Sequence, residues 1–274
     1  MEKQDFTLIF KDINIKGQFI STVEAKGVVV MVHGMGEHMG RYCKKVFPML
    51  LKSGFAITAY DNIGHGTSGG KRGHCNSYED LLTLLGIMVE KAEEHFPKLP
   101  VFLYGHSMGG NLVLNYSVRK QHNLSGVIAS SPYLRLAFTP SKWKLSLGKL
   151  MMKLYPSKTL ASGLDPNGIS RIPKEVKAYE DDALAHDKVS PMYTFPVMEA
   201  GEWVLNNANK LKTKTLLLHG TADPIIDYKA TEELHQKATT TTLELFEGGY
   251  HELHYDLCSN EALEAIQNWL QQQV

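Results

Sequence analysis

The sequence predicts an α/β fold built on one mostly parallel, eight-stranded sheet with helices on both faces. Three observations lead there: short continuous runs of apolar and β-branched residues, helix-compatible stretches between them, and an opening pair of alternating segments. Asp5–Phe10 and Ile13–Ile20 alternate on either side of Lys11-Asp12 and read as an antiparallel hairpin. Gly27–Val32, Phe55–Tyr60, Pro100–Tyr104, Ser125–Ala129 and Lys214–Leu218 lack alternation, as strands covered on both faces do, and Thr241–Phe246 reads as the last strand. Ser77-Tyr78-Glu79-Asp80 resembles a capping box that opens a helix running to Phe96. Gly109–His122, Ile226–Ala238 and Ser259–Gln273 also carry helical periodicity.

One region departs from this alternation. No buried strand is evident from 131 to 209, a stretch too long for a structureless loop in a compact domain. Helical patches at Trp143–Tyr155, Pro173–Tyr179 and Pro196–Asn209 make it an inserted, mainly helical cap over the carboxyl edge of the sheet. The core is then expected to comprise residues 1–130 and 210–274.

Composition narrows the function classes. The chain has 274 residues, 43% of them hydrophobic, with 29 basic and 29 acidic side chains and a formal net charge of zero. This is a globular composition, and the lack of a basic excess argues against nucleic acid as a partner. Cys43, Cys75 and Cys258 are scattered and read as free thiols, which favours a reducing compartment. The first residues lack a signal-peptide layout and no run of about 18 apolar residues occurs, so the expected address is the cytoplasm. No phosphate-cradling glycine motif follows a strand, and His251-Glu252-Leu253-His254 has the wrong spacing for a zinc helix, so neither cofactor nor metal is expected. Charge is unevenly placed: His95 through Leu164 holds nine Lys or Arg and no Asp or Glu. That segment is either a solvated basic surface or a patch suited to anionic lipid head groups, the latter allowing transient contact of the cap with a membrane or micelle.

The chemistry-bearing motif is Gly105-His106-Ser107-Met108-Gly109, between a strand and a helix-compatible run. In that context G-x-S-x-G forces the serine into a strained turn and sets its hydroxyl at a helix amino end, where developing negative charge is favoured. His33-Gly34-Met35 follows the strand Gly27–Val32 and suits a loop that donates a backbone N–H to an oxyanion. Met35 N–H and Met108 N–H are the expected donors. A serine hydroxyl needs a base, and the chain order for this turn is serine, acid, histidine. His251, in a glycine-flanked loop after the last strand, is the leading base and His254 its rival. Asp223, after the strand Lys214–Leu218, is the leading acid and Asp227 the runner-up. His219 precedes the acid and fails the order test. Asp61 and Asp80 read as structural or capping residues.

Taken together, HGMGEHMGRY at 33–42, GHSMGG at 105–110, HGTADPI at 219–225 and GGYHELHYDL at 248–257 resemble the monoacylglycerol lipase and lysophospholipase group of the α/β-hydrolases. The agreement runs through most of the chain, with only a loose match in the cap. The resemblance implies the α/β-hydrolase fold, a triad of Ser107, Asp223 and His251, and an oxyanion hole at Met35 and Met108. It also implies that Glu37, Arg41 and His254 hold glycerol hydroxyls, against the alternative of a structural ion pair beneath the oxyanion loop. In the cap, Trp143, Leu147, Leu150 and Leu154 share one helical face and Lys142, Lys149 and Lys153 another. That apolar stripe is expected to pack on the core, to line an acyl channel, or to lean on a membrane.

The expected function is hydrolysis of monoacylglycerols through an acyl-enzyme, with a lipid ester as the partner. The rivals are a lysophospholipase, a carboxylesterase for short esters, a peptidase on the same fold, and a non-catalytic ligand-binding protein.

Overall fold

The computed structural model describes residues 2–274. Strands β1 (Glu2–Phe10) and β2 (Ile13–Ser21) form the opening hairpin. Its two turn residues, Lys11 and Asp12, both have positive φ (47° and 65°), the backbone whose twist suits a two-residue hairpin. The remaining strands of the main sheet are β3 (Gly27–Val32), β4 (Phe55–Tyr60), β5 (Val101–His106), β6 (Gly126–Ser130), β9 (Thr215–Gly220) and β10 (Thr241–Phe246). Their order is β1-β2-β4-β3-β5-β6-β9-β10; only the β1–β2 and β2–β4 pairings are antiparallel. The eight-stranded, mostly parallel sheet is thus as expected from the apolar runs.

Alternation hidden in those runs becomes visible once both faces are covered. Val28, Val30, Val32, Leu103, Val127 and Leu217 point to one buried cluster, which they share with α2 (Tyr78–His95), α3 (Met108–Arg119) and α7 (Tyr228–Lys237). Val29, Met31, Ile57, Phe102, Ile128 and Leu216 point the opposite way, toward α1 (Val46–Lys52) and α8 (Ser259–Gln271). Both clusters exclude water, and each buried aliphatic side chain contributes about 1.5–3 kcal/mol. Helix α1 was not anticipated. It is short and carries Pro48 in its first turn, where the missing N–H has no helical partner to lose. At the start of α2, Ser77 Oγ accepts the Asp80 N–H as a capping box requires, but the Asp80 carboxylate turns away to Lys11 Nζ at 2.8 Å.

The long excursion between β6 and β9 contains α4 (Lys142–Leu154), α5 (Pro173–Glu180), α6 (Pro191–Asn206) and a two-residue antiparallel pair, β7 (Leu160–Ala161) with β8 (Lys188–Val189). Helix α6 begins five residues before the expected Pro196. Pro191 takes the first helical turn, Ser190 caps the Tyr193 N–H, and Pro196 sits inside the helix. Its side chains Tyr193, Val197, Val204 and Leu205 join the buried cluster of α2 and α3. Two asparagines of α3 bind its backbone: Asn111 Nδ2 donates to Val197 O at 3.0 Å and Asn115 Nδ2 to Ala200 O at 3.2 Å. The end of the excursion therefore packs with the core layer, whereas α4 and α5 contribute Leu145 and Tyr179 to the cavity described next.

Candidate active site

Ser107 occupies the turn between β5 and α3 with φ 53° and ψ −114°, a region a side chain enters only when its surroundings enforce it. The enforcement is visible in the backbone. Ser107 N donates to Ser130 O at 3.0 Å, and Ser107 O accepts from Asn111 N at 3.0 Å and Tyr133 N at 2.9 Å. The turn also brings α3 against β3, so closely that a Cβ on Gly109 would lie 2.1 Å from Val32 O. Met108 opens α3, and its N–H belongs to the first turn, which has no intrahelical acceptor.

Position just past a strand's carboxyl end pointed to Asp223 and His251, and these two residues meet. His251 Nδ1 lies 2.7 Å from Asp223 Oδ2, with both side chains buried. The other oxygen, Asp223 Oδ1, accepts the backbone N–H groups of Ile225 (2.8 Å) and Ile226 (3.0 Å). Burial alone would raise the Asp223 pKa, but His251 and His219 outweigh it and hold the carboxyl far below its ordinary value. Burial disfavours the charged form of His251 as well, and the Asp223 carboxylate overcomes it, so the imidazole pKa is raised. Asp227 instead caps α7 through the Lys229 N–H. His254 stacks on Tyr42 with ring centroids 5.0 Å apart and does not meet the acid. Asp61 accepts from Met39 N and Thr67 N, a structural role as expected.

The loop after β3 also approaches the serine. A Cβ on Gly34 would fall 3.2 Å from Ser107 Cβ. The loop is held by Glu37, whose Oε1 accepts Gly34 N–H at 2.5 Å and Tyr42 O–H at 2.6 Å. Arg41 lies between two carboxylates, with Nε 3.3 Å from Glu37 Oε2 and Nη2 2.7 Å from Glu252 Oε2. Glu252, which the sequence did not single out, is buried; desolvation pushes its pKa up to about 7 against the pull of Arg41.

A cavity of about 620 Å³ opens in front of these groups. Ser107, His251, Met35, Glu37 and Glu252 face it from the sheet side, while Leu145, Phe195, Val197 and Ile226 are among its apolar walls. Its charged lining consists of Glu37, Asp165, Asp187 and Glu252; among the described residues no Lys or Arg borders it. Arg41 and His254 lie behind the wall rather than on it, so the glycerol-holding role expected for all three residues has direct access to the cavity only at Glu37. The expected acyl wall is also different. Trp143, Leu147, Leu150 and Leu154 are 64%, 49%, 51% and 61% exposed and do not line the cavity. Helix α4 turns Leu145 inward instead, and its Gly148 packs on the ring of Phe195. The exposure speaks against packing on the core and against lining the cavity, two of the three roles expected for the stripe, because helical spacing shows that a face is apolar, not which way it points. Among the described residues no helix is long and apolar enough to cross a membrane.

The sheet order, the strained serine turn and the Asp–His pair at the strands' carboxyl ends define an α/β-hydrolase. Residues 23–257 match the family model described as serine aminopeptidase, S33. The chain belongs to that family and, within it, to the group that holds the monoacylglycerol lipases. It is 30% identical to a monoglyceride lipase of Rattus norvegicus over 96% of this chain and 90% of that one. A solved monoacylglycerol lipase of Paleococcus ferrophilus is 35% identical and superposes with a TM-score of 0.88, covering 95% of this chain and 99% of the other. An abhydrolase domain-containing protein of Dictyostelium discoideum is also 35% identical over 92% of this chain, which spans only 27% of that longer protein.

Proposed function

We propose that this chain is a serine hydrolase that cleaves the ester of monoacylglycerols to fatty acid and glycerol. Ser107 Oγ attacks the ester carbonyl as His251 Nε2 takes its proton. The N–H groups of Met35 and Met108 hold the resulting oxyanion, each worth about 3 kcal/mol in the transition state. His251 then returns the proton to the departing glycerol oxygen, and water activated by the same imidazole releases the acid from the acyl-enzyme. Asp223 keeps the His251 proton on Nδ1 and stabilises the imidazolium that forms.

The observation that carries the substrate class is the cavity itself. Its apolar walls suit an alkyl chain, which gains about 0.8 kcal/mol per buried methylene. Its lining carries the carboxylates of Glu37, Asp165 and Asp187 and no Lys or Arg among the described residues, which suits a neutral glycerol head better than the phosphate of a lysophospholipid. Glu37 lines the cavity and holds Gly34 of the oxyanion loop, and we assign it to a glycerol hydroxyl. The segment bearing α4 and α5 serves as the cap. Its exposed residues Trp143, Leu147, Leu150 and Leu154, with Lys142, Lys149 and Lys153 also exposed, form the face that leans on a membrane or micelle. Three unpaired cysteines fit a cytoplasmic enzyme peripheral to membranes.

Hydrolysis of monooleoylglycerol, lysophosphatidylcholine, short nitrophenyl esters and an aminoacyl nitroanilide distinguishes the readings. The highest kcat/KM is expected for monooleoylglycerol, at least tenfold above lysophosphatidylcholine. A preference for lysophosphatidylcholine, for short esters or for the nitroanilide would each replace the proposed substrate with its own class.

A further inference from the structure

Asp223 serves two imidazoles. Besides His251, His219 at the end of β9 places Nε2 3.1 Å from the same Oδ2, and its Nδ1 lies 2.7 Å from the Thr231 hydroxyl in α7. His219, Asp223 and Thr231 are all buried. The carboxylate can only accept, so Nε2 carries a proton, and the Thr231 hydroxyl, which can donate or accept, ties down the ring at Nδ1. With Ile225 and Ile226 donating to Oδ1, Asp223 receives four hydrogen bonds and has no lone pair left on which to rotate.

The geometry points to His219 as a positioning residue for the proposed reaction, acting through Asp223, with Thr231 orienting its ring. This inference rests on the catalytic roles proposed above. A carboxylate held from one side by His219 presents Oδ2 to His251 Nδ1 at a fixed angle, which aims Nε2 toward the serine. The second donor also withdraws negative charge from Oδ2 and so tempers the basicity of His251. Removing it should therefore have two effects of different origin: misalignment lowers kcat, and the more basic imidazole moves the acidic limb of the rate profile upward. The other ionisable groups that face His251 are Glu252, Glu37, His106 and His254, and none of them changes in these variants. The order rule for the triad excluded His219 because that rule concerns the base alone and is silent on a second partner for the acid.

The test compares His219→Ala, His219→Gln and Thr231→Val with wild type, using monooleoylglycerol and kcat/KM profiles from pH 5 to 9. The amount of folded protein is fixed by urea titration. His219→Ala should lower kcat about tenfold with KM within twofold, and move the acidic limb up by about 0.5. Glutamine supplies an N–H at similar reach and should recover most of both losses. Thr231→Val, which keeps His219, should lower kcat by a smaller factor. A His219→Ala enzyme with wild-type kcat and limb would overturn the inference, as would equal impairment by alanine and glutamine. Ser107→Ala and Asp223→Asn run alongside: if these retain turnover, the catalytic assignment itself fails, irrespective of His219.

Discussion

Replacing Glu252 by glutamine probes the charge arrangement behind the cavity. Glu37 and Glu252 share a single cation, Arg41, and all three side chains are buried. With both carboxylates ionised, the cluster carries one uncompensated negative charge away from water, which is costly. Burial favours the neutral form of each carboxyl. At Glu37 the combined pull of Arg41, His33 and the Tyr42 hydroxyl wins and its pKa is lowered. At Glu252 burial wins, and the pKa rises from 4.5 to about 7. The folded protein thus keeps a proton that the unfolded chain releases near 4.5, so stability declines as pH rises from there toward 7 and is constant above. The rise corresponds to about 3 kcal/mol as an upper bound. Glutamine cannot ionise and retains an oxygen for Arg41. Urea unfolding of both proteins between pH 4.5 and 8 should therefore give equal stabilities at the acidic end and a Glu252→Gln advantage of about 1–3 kcal/mol at pH 8. A constant offset across the range, or a variant less stable at pH 8, would refute this account of the cluster.

Four further outcomes are expected. Leu145→Asp puts a charge on the cavity wall and should lower kcat/KM for long-chain esters tenfold or more while sparing short nitrophenyl esters; Leu150→Asp, on the exposed face, should leave hydrolysis of dispersed substrate unchanged and slow it on anionic vesicles. Gly109→Ala should destabilise the fold by about 3 kcal/mol or more in urea titration, since its methyl group would stand 2.1 Å from Val32 O, and an unchanged midpoint would show that the elbow has slack. The raised pKa of His251 predicts that kcat/KM climbs with pH through a group titrating above 6.5, because only the neutral imidazole accepts the serine proton; a limb below 6.5 would mean that burial outweighs Asp223.

The sheet was legible because parallel strands buried on both faces must be continuously apolar, a pattern that survives without knowledge of neighbours. The serine turn was legible for a similar reason. Gly109 is required by backbone contact with Val32, so the constraint is written locally in the sequence. Choosing Asp223 over Asp227 and His251 over His254 depended on their places in loops just past a strand's carboxyl end, chain order excluding only His219, and the geometry agrees with that choice in pairing His251 with Asp223. What could not be read was orientation at a distance. The α4 stripe is as periodic as a buried one, yet Leu145 rather than Leu147 or Leu150 reaches the cavity, because Gly148 lets the opposite face settle on Phe195. Helix α6 started early because Pro191 is as acceptable in a first turn as Pro196, and periodicity does not choose between them. The second partner of Asp223 carried no sequence signal beyond its place at a strand end.

The most direct measurement is a rapid acid quench of the enzyme during turnover of monooleoylglycerol, followed by mass spectrometry of its peptides. The peptide containing Ser107 should gain the mass of one oleoyl group early in the reaction, and Ser107→Ala should lose both the adduct and the activity. Full turnover with Ser107 unmodified, or an acyl group found on another residue, would contradict a serine-bound intermediate at this turn.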